Sequence, residues 1–492
     1  MANDMQTFYD ALTKAVNQQI AGTYDVDVTL LQTGSQGNFL WNYQSPNGIF
    51  NAGTFAFISA AVLPSPDGVL AQLSPASGFV NAYVQVVAPM YYRLSRADQA
   101  SIAKVMAAAT REASKLVSDY ESIFNPITTA DLQTAQEACG PFAAQTNQDY
   151  VISYVLGYQW SGSEAVNAAP LSYETLAAAS SLADLQKMLP NTPANGGKVV
   201  SDVWSYLSSI SSVVALQSAA QIGSWTLAGM STNAAKPSAT NGGMQTVDPN
   251  NGKVYPYQVA YSIPRTASSI GSDLSDDSRI ITVTIDIVTA GDGTTVQATL
   301  DECPPITVPE PSVAHFTAPG CSTFDLLTCA GANSDLSVTI TYTGYTLVPV
   351  APLPLNSTNG GWFVAAPIAE AASNGNNDIT GFAFALPPPY DLQSFAAGGT
   401  FGSLTNILIS NPPSVTLQYS NLDAAGMLPP EAAGILNLFG YQQLETSAVM
   451  NTSAGTVTFS PLFELEASTP PMMQSAFAIG CTFINPGVLT TP

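Results

Sequence analysis

The sequence predicts an α+β protein in which a helical region is followed by a β-rich, sandwich-like C-terminal domain. Between residues 96 and 230 apolar side chains recur at helical spacing, whereas beyond residue 254 they alternate with polar ones. The charges change in the same part of the chain. Arg279 is the last basic residue, and the fifteen Asp and Glu residues that follow it have no Lys or Arg among them.

Residues 1–95 are predicted to form a mixed α/β N-terminal segment. Phe8, Leu12, Ala15 and Val16 lie on one face of a predicted helix that Gly22 would end. The stretch "YDVDVTLL" then alternates like a strand, and a turn-rich region with several Pro and Gly residues follows it.

Residues 96–230 are predicted to form a helical domain. Ser95 and Asp98 have the spacing of a capping box, and Asn125–Pro126 would end the long helix that starts there. Further helical patterns continue to Met230, and the last of them is predicted to be one uninterrupted helix over 198–230.

Residues 231–253 are rich in Ser, Asn, Gly and Pro, which predicts a linker, and residues 254–492 are predicted to form the β-rich domain. Ile281, Val283, Ile285 and Ile287 alternate with polar residues, and "AGDG" then turns the chain toward "TTVQATL". This pattern predicts a hairpin. Pro-rich connectors separate the later strands, which is typical of a two-layer β domain.

One helical segment carries no charge between residues 203 and 230. Its apolar face and its serine face suggest two roles: a segment that inserts into a membrane, or a helix whose small polar side permits close packing. The serine content favours packing, because serines facing lipid are costly. The candidate residues are Val203, Tyr206, Leu207, Ile210, Val213 and Val214 on the apolar face, and Ser205, Ser208, Ser209 and Ser212 on the polar face.

The charge balance excludes several partners. The chain has 492 residues, a formal net charge of −23 and only 10% charged residues. Nucleic acid is excluded as a partner because no Lys/Arg cluster exists to bind phosphate. The N-terminus lacks the apolar core of a secretory signal, and no stretch of about 20 apolar residues predicts a constitutive membrane span. We expect an extracellular or particle-associated protein without a recognisable signal peptide.

Catalytic and metal-binding motifs are scarce, so the sequence favours a non-catalytic protein. His315 is the only histidine, and no nucleophile elbow, phosphate loop or zinc spacing accompanies it. No cofactor is predicted, and calcium has no motif to support it. Carboxylate pairs such as Asp301–Glu302, or Glu464 and Glu466, leave an acid hydrolase open.

Five cysteines are present, and an odd number leaves at least one thiol outside any disulfide within the chain. Cys303, Cys321 and Cys329 lie close together in sequence, which predicts one disulfide among them in an oxidising compartment.

These observations support three hypotheses for the function. The first is a binding or self-assembling structural protein (a particle, filament or surface component) whose partner is a second copy, another protein or a glycan. The second is a membrane-active pore-forming toxin with a helical insertion segment and a β-rich receptor-binding domain. The third is an acid-active hydrolase that uses a carboxylate pair. The low-charge, cation-free β region favours the first hypothesis, because its contacts must be made by apolar groups and hydrogen bonds.

Overall fold

The part of the chain that the computed structural model describes contains two large β-sheets, three two-stranded sheets, a helical unit and further single helices. This part covers residues 2–32, 38–44, 48–64, 70–74, 78–162, 170–289, 295–299, 306–309, 314–317, 323–326, 335–356, 360–387, 396, 399, 401–420, 431–438, 441–462 and 474–487. The α+β class is confirmed, with a helical region and a β-rich C-terminal region.

The described helices are α1 (Ala2–Ile20), α2 (Ala52–Ile58), α3 (Phe79–Val87), α4 (Arg96–Ile123), α5 (Thr129–Cys139), α6 (Asn147–Asp149), α7 (Tyr173–Ala177), α8 (Leu182–Met188), α9 (Gly197–Ile210), α10 (Val214–Ala235), α11 (Ala267–Leu274) and α12 (Ala366–Asn374). Short 3₁₀ helices cover Gly140–Phe142 and Ala239–Asn241, and a π-helix covers Tyr150–Trp160.

The described strands are β1 (Thr29–Leu31), β2 (Asn38–Phe39), β3 (Phe50–Asn51), β4 (Ala61–Pro64), β5 (Leu70–Ser74), β6 (Met90–Arg93), β7 (Thr246–Val247), β8 (Tyr261–Ser262), β9 (Ile280–Thr289), β10 (Thr295–Thr299), β11 (Ile306–Pro309), β12 (Ala314–Thr317), β13 (Thr323–Asp325), β14 (Asp335–Thr343), β15 (Thr346–Pro349), β16 (Ala351–Pro352), β17 (Gly381–Phe384), β18 (Ser403–Ser410), β19 (Ser414–Tyr419), β20 (Glu431–Leu438), β21 (Tyr441–Asn451), β22 (Thr456–Pro461) and β23 (Ala476–Ile484).

The large sheet is built from the C-terminal region and has the strand order β11-β10-β9-β14-β19-β22-β21-β20-β12-β13, with antiparallel neighbours throughout. Ile281, Val283 and Ile285 of β9 are buried, and the polar residues between them are exposed. The predicted alternation is therefore present, and the β9–β10 pairing confirms the predicted hairpin.

The small sheet combines strands from both ends of the chain, in the order β15-β18-β23-β1-β5-β4. Strand β1, near the N-terminus of the chain, pairs with β23, near its C-terminus, so Thr29 lies opposite Cys481. Val62 of β4 also exchanges two backbone hydrogen bonds of 2.9 Å with Gly402, directly before β18. This contact brings the β4 edge of the sheet back toward β18.

Helix α1 lies between the two sheets. Tyr9, Leu12, Val16 and Ile20 recur at helical spacing and are buried in one apolar cluster with residues of both sheets. Gln19 accepts a hydrogen bond from the Thr282 backbone N–H at 2.9 Å and donates one to its carbonyl, so it pairs with backbone groups of β9. The predicted N-terminal helix is thus part of the interior of the β region.

The helical unit surrounds a separate apolar core that extends from α4 to the start of α10. Its first helix has the predicted N-cap, because the Ser95 hydroxyl accepts from the Asp98 N–H at 3.1 Å, and it ends at Ile123. The Ser95 N–H donates to the Thr380 Oγ1 at 2.8 Å, so the second half of a capping box with Asp98 is not formed. The predicted linker 231–253 contains the last turn of α10, a 3₁₀ helix and strand β7.

The segment predicted as one helix over 198–230 is instead two helices, α9 and α10, which meet at an angle of 98°. Serine hydroxyls here bond to backbone carbonyls: the Ser209 Oγ donates to the Tyr206 carbonyl at 2.6 Å. Serine competes in this way with the helical pattern of hydrogen bonds, which weakens its continuation.

Candidate interaction surface

The residues predicted as a membrane or packing helix lie on α9 and at the start of α10. All six apolar side chains are buried in the helical core, and Leu207 has no exposed surface. Ser205, Ser208, Ser209 and Ser212 are all exposed. The structure therefore separates the two faces as the sequence pattern does, with the apolar face packed against protein.

Among the described helices, none alone has the length and apolar character of a membrane span. The bent pair α9–α10 reaches that threshold only when its two helices are taken together.

The predicted disulfide cannot be placed, because Cys303, Cys321 and Cys329 lie outside the described residues. Cys139 and Cys481 are described, and both are buried free thiols. Burial raises the pKa of each thiol to about 12, so both remain protonated at neutral pH.

The carboxylate pairs considered for hydrolysis, Asp301–Glu302 and Glu464 with Glu466, also lie outside the described residues. His315 is on β12, opposite Asn437 of β20, and its side chain is not described. Within the described part of the chain, no group of three or more His, Cys, Asp or Glu side chains is arranged to bind a metal ion.

The outward side of the large sheet carries a surface that is made mostly of hydroxyl groups and has few charges. We call it the hydroxyl face and define it by three outward residues from each of five adjacent strands. They are Thr282, Thr284 and Asp286 of β9, Ser337, Thr339 and Thr341 of β14, Ser414, Thr416 and Gln418 of β19, Thr456, Thr458 and Ser460 of β22, and Ser447, Val449 and Asn451 of β21. All of them are exposed or half-buried.

Strand register arranges these residues in rows across the sheet. The central row runs from Thr284 through Thr339, Thr416 and Thr458 to Val449. The flanking rows follow the same register and include Thr282–Thr341–Ser414 and Asp286–Ser337–Gln418–Thr456–Asn451. Neighbouring strands lie about 4.8 Å apart and alternate residues about 6.7 Å apart, so the hydroxyls form a regular lattice.

Hydroxyls within the central row contact one another. The Oγ1 atoms of Thr284 and Thr339 are 3.1 Å apart, and those of Thr416 and Thr458 are 3.3 Å apart. A hydroxyl has one donor hydrogen and two acceptor lone pairs, so each can bond a neighbour and still offer hydrogen bonds outward.

The charge of this face differs sharply from that of the whole chain. Of its fifteen residues only Asp286 is charged, whereas the chain carries a formal net charge of −23. Threonine also suits an exposed strand, because its β-branched side chain packs well on a pleated surface. Exposed aliphatic side chains add apolar surface, with Val449 in the central row 51% exposed and Ile280 on β9 46% exposed.

Two arginines, Arg265 and Arg279, lie close together near the start of β9, where the cation-free region begins. Asp273 of α11 accepts hydrogen bonds from Arg265 at 2.7 Å and from Thr346 at 2.6 Å, and its other oxygen lies 3.2 Å from Arg279. Arg279 also donates to the Tyr24 hydroxyl at 3.1 Å. The last arginine in the sequence is therefore held in a network that joins α11, β15 and the N-terminal segment.

Burial raises the pKa of Asp273, but hydrogen bonds from Thr346 and Arg265 and the charges of both arginines outweigh it and lower the pKa overall. The carboxylate is thus ionised at neutral pH.

No protein-family model, curated protein or solved structure matches the chain.

Proposed function

We propose that this protein is a non-catalytic, self-assembling structural component that works outside the cytoplasm, and that two copies meet through the hydroxyl face. The observation that carries the proposal is a hydrogen-bonding surface with a single charged residue, Asp286, on a chain of net charge −23. Two such chains repel each other over most of their surfaces, so they approach best where charge is absent.

The chemistry of the face fits a second copy of itself. Each hydroxyl both donates and accepts, so two identical hydroxyl rows can bond to each other without a complementary partner. A contact between identical surfaces gives a twofold dimer, which is the first assembly step that we expect.

Other occupants fit this face less well. A basic partner would be drawn to the carboxylates elsewhere on the chain rather than to a face with one charge. Glycan sites commonly use aromatic rings and a few fixed polar groups, and the fifteen residues of this face include no aromatic residue. The self-complementary hydroxyls therefore favour a second copy.

The size of the face sets the strength expected. Five strands and a five-residue length give the face dimensions of roughly 20 by 17 Å. Its area is therefore well below the ~800 Å² that each partner contributes to a standard interface. We therefore expect weak, concentration-dependent association, strengthened at acidic pH because carboxylate protonation reduces the repulsion between chains.

Sedimentation velocity over a concentration series tests the proposal with a lysine at the centre of the face. Thr416→Lys lowers the net negative charge and so weakens the general repulsion, yet it places like charges together at the contact. We expect at least tenfold weaker dimerisation, with the same result for Thr284→Lys on the same row.

The matched control is Ser205→Lys, which makes the same charge change on the exposed face of α9. It should leave dimerisation unchanged or slightly strengthen it. A wild-type chain that stays monomeric at high concentration at both pH 4 and pH 7 would exclude the proposal, as would equal dimerisation of Thr416→Lys and wild type.

One observation favours the membrane-active alternative: the pair α9–α10 has the combined length and apolar character of a span. Its insertion would require the apolar face of α9 to leave the helical core. Dye release from anionic and neutral vesicles tests this alternative. Release that Leu207→Asp abolishes would support insertion of the apolar face of α9 into lipid, and no release at any pH would count against it.

A further inference from the structure

Four charged residues form a symmetric cluster where α4 packs against α9. Lys115 and Asp119 are one turn apart on α4, and Lys198 and Asp202 are one turn apart on α9. The pairs cross between the helices: Lys115 bonds the Oδ1 of Asp202, and Lys198 bonds the Oδ1 of Asp119 at 2.7 Å.

The second oxygens of the two carboxyl groups are left without donors. The Oδ2 atoms of Asp119 and Asp202 are both buried and have no hydrogen-bond partner as ionised groups. The Asp202 side chain is only 3% exposed and that of Asp119 is 17% exposed. A hydrogen bond between the two carboxyl groups is among the interactions that shift their pKa values.

Two ionised carboxylates in this position would be costly. Like charges in contact repel, and a buried acceptor without a donor loses the hydrogen bonds that water would supply. A single proton between the two groups removes both costs, because one carboxyl group then donates to the other.

We propose that Asp119 and Asp202 form a proton-binding site in which one proton lies between their Oδ2 atoms and joins α4 to α9. The ligand is the proton rather than a metal ion, because two ammonium groups flank the pair and only two carboxylates are present. A catalytic role is disfavoured since the near-complete burial of Asp202 leaves no room for a substrate.

The surroundings shift the pKa values of the two carboxyl groups in opposite directions. Burial raises the pKa of Asp202, aided by its contact with Asp119 and opposed by Lys115. The hydrogen bond from Lys198 lowers the pKa of Asp119, and the hydrogen bond between Asp119 and Asp202 lowers it further. Asp202 is therefore the group that holds the proton.

Other charged groups near the pair are few. Glu112 on α4 acts on Lys115, and the helices that also pack against α9 carry Glu174 on α7 and Asp184 with Lys187 on α8. Helix α6 packs against α4 and carries Asp149, which accepts a hydrogen bond from the Tyr173 hydroxyl. Asp184 is paired with Lys187 at 3.0 Å.

The opposite pKa shifts of Asp202 and Asp119 determine how the stability of the helical unit depends on pH. Because the pKa of Asp202 is higher in the folded than in the unfolded chain, stability is lost as the pH rises from the unfolded-state pKa to the folded-state pKa. The lowered pKa of Asp119 means that stability is lost as pH falls through its folded value. The helical unit should therefore be most stable at mildly acidic pH.

Infrared spectra of the full chain between about pH 6 and pH 9 test the site, since ordinary carboxyl groups are already ionised in that range. We expect one protonated-carboxyl band in the wild type that disappears as pH rises. It should be absent in Asp202→Asn and present in the control Asp184→Asn.

Because the wild-type spectrum needs no variant, the test does not depend on whether Asp202→Asn folds. The absence of any carboxyl band above about pH 6 would overturn the proposal, as would a band that persists unchanged in folded Asp202→Asn. Neither result bears on dimerisation through the hydroxyl face, so the two proposals fail separately.

Discussion

The large sheet and the helical unit differ in the kind of polar side chain that they use. The outward side of the sheet uses hydroxyls, with Asp286 as the single charge among the fifteen residues of the hydroxyl face. The helical unit uses charges and crosses them between helices, with Lys115 and Lys198 each paired to an aspartate of the other helix. A sheet surface with a single charge is suited to contact with another copy, whereas the crossed pairs act within the chain.

The boundary between the two regions should resist trypsin. Arg279 is 27% exposed and held by Asp273 and Tyr24, whereas Lys253 lies in an exposed turn. Cleavage at Arg279 requires local or global unfolding, so we expect it to be slower than at Lys253 by a factor on the order of 10³. Limited proteolysis followed by mass measurement checks this.

Rapid native cleavage at Arg279 would show that the boundary is an accessible connection. It would also show that the contacts of Arg279 with Asp273 and Tyr24 do not hold this part of the chain closed to the protease.

Loss of the carboxylate that holds the two arginines should have the next largest effect. Asp273→Asn leaves Arg265 and Arg279 without a full counter-charge in a site where the three side chains are 18–27% exposed. We expect a loss of about 2 kcal/mol in the free energy of unfolding, below the 3–5 kcal/mol typical of fully buried pairs. Urea denaturation near neutral pH measures it.

The control for this variant is Asp276→Asn, whose side chain is 46% exposed and lies 3.6 Å from Arg279. A surface pair of this kind contributes about 1 kcal/mol or less. Equal losses for the two variants would contradict the structural role given to Asp273.

The smallest effect on stability is expected on the hydroxyl face. Thr416→Val keeps the β-branched shape but removes a half-buried hydroxyl that lies 3.3 Å from that of Thr458, so the free energy of unfolding should fall by about 1 kcal/mol or less. Dimerisation should weaken at the same time, because one self-complementary hydrogen-bonding group is lost. Thermal unfolding and sedimentation on the same samples separate the two effects.

A Thr416→Val variant that loses stability without any change in dimerisation would reverse the comparison. The hydroxyl rows would then stabilise the sheet itself rather than a contact between copies.

Local patterns predicted much of the fold. The Ser95–Asp98 cap, the alternation of Ile281, Val283 and Ile285, and the β9–β10 hairpin are all present, because each depends on neighbours within a few residues. The break between α9 and α10 was missed, because the apolar spacing continues through it and gives no sign of a 98° turn.

The two candidate sites were not predicted, for related reasons. The hydroxyl rows need strand register: Thr284 and Thr416 are far apart in sequence and align only through β14. Asp119 and Asp202 meet only because α4 and α9 pack together. The Lys–Asp spacing of one turn on each helix is a sequence signal, but it also describes an ordinary solvent-exposed ion pair.

The sequence by itself determined the class of the fold, the cation-free character of everything beyond Arg279 and the two faces of α9, because composition and short-range periodicity are properties of neighbouring residues. Only the tertiary structure decided that α1 lies between the sheets, that β1 pairs with β23, and which polar groups share a surface or a buried site. Those outcomes depend on strand pairing and helix packing between distant segments, whose partners are chosen by the burial of the whole core.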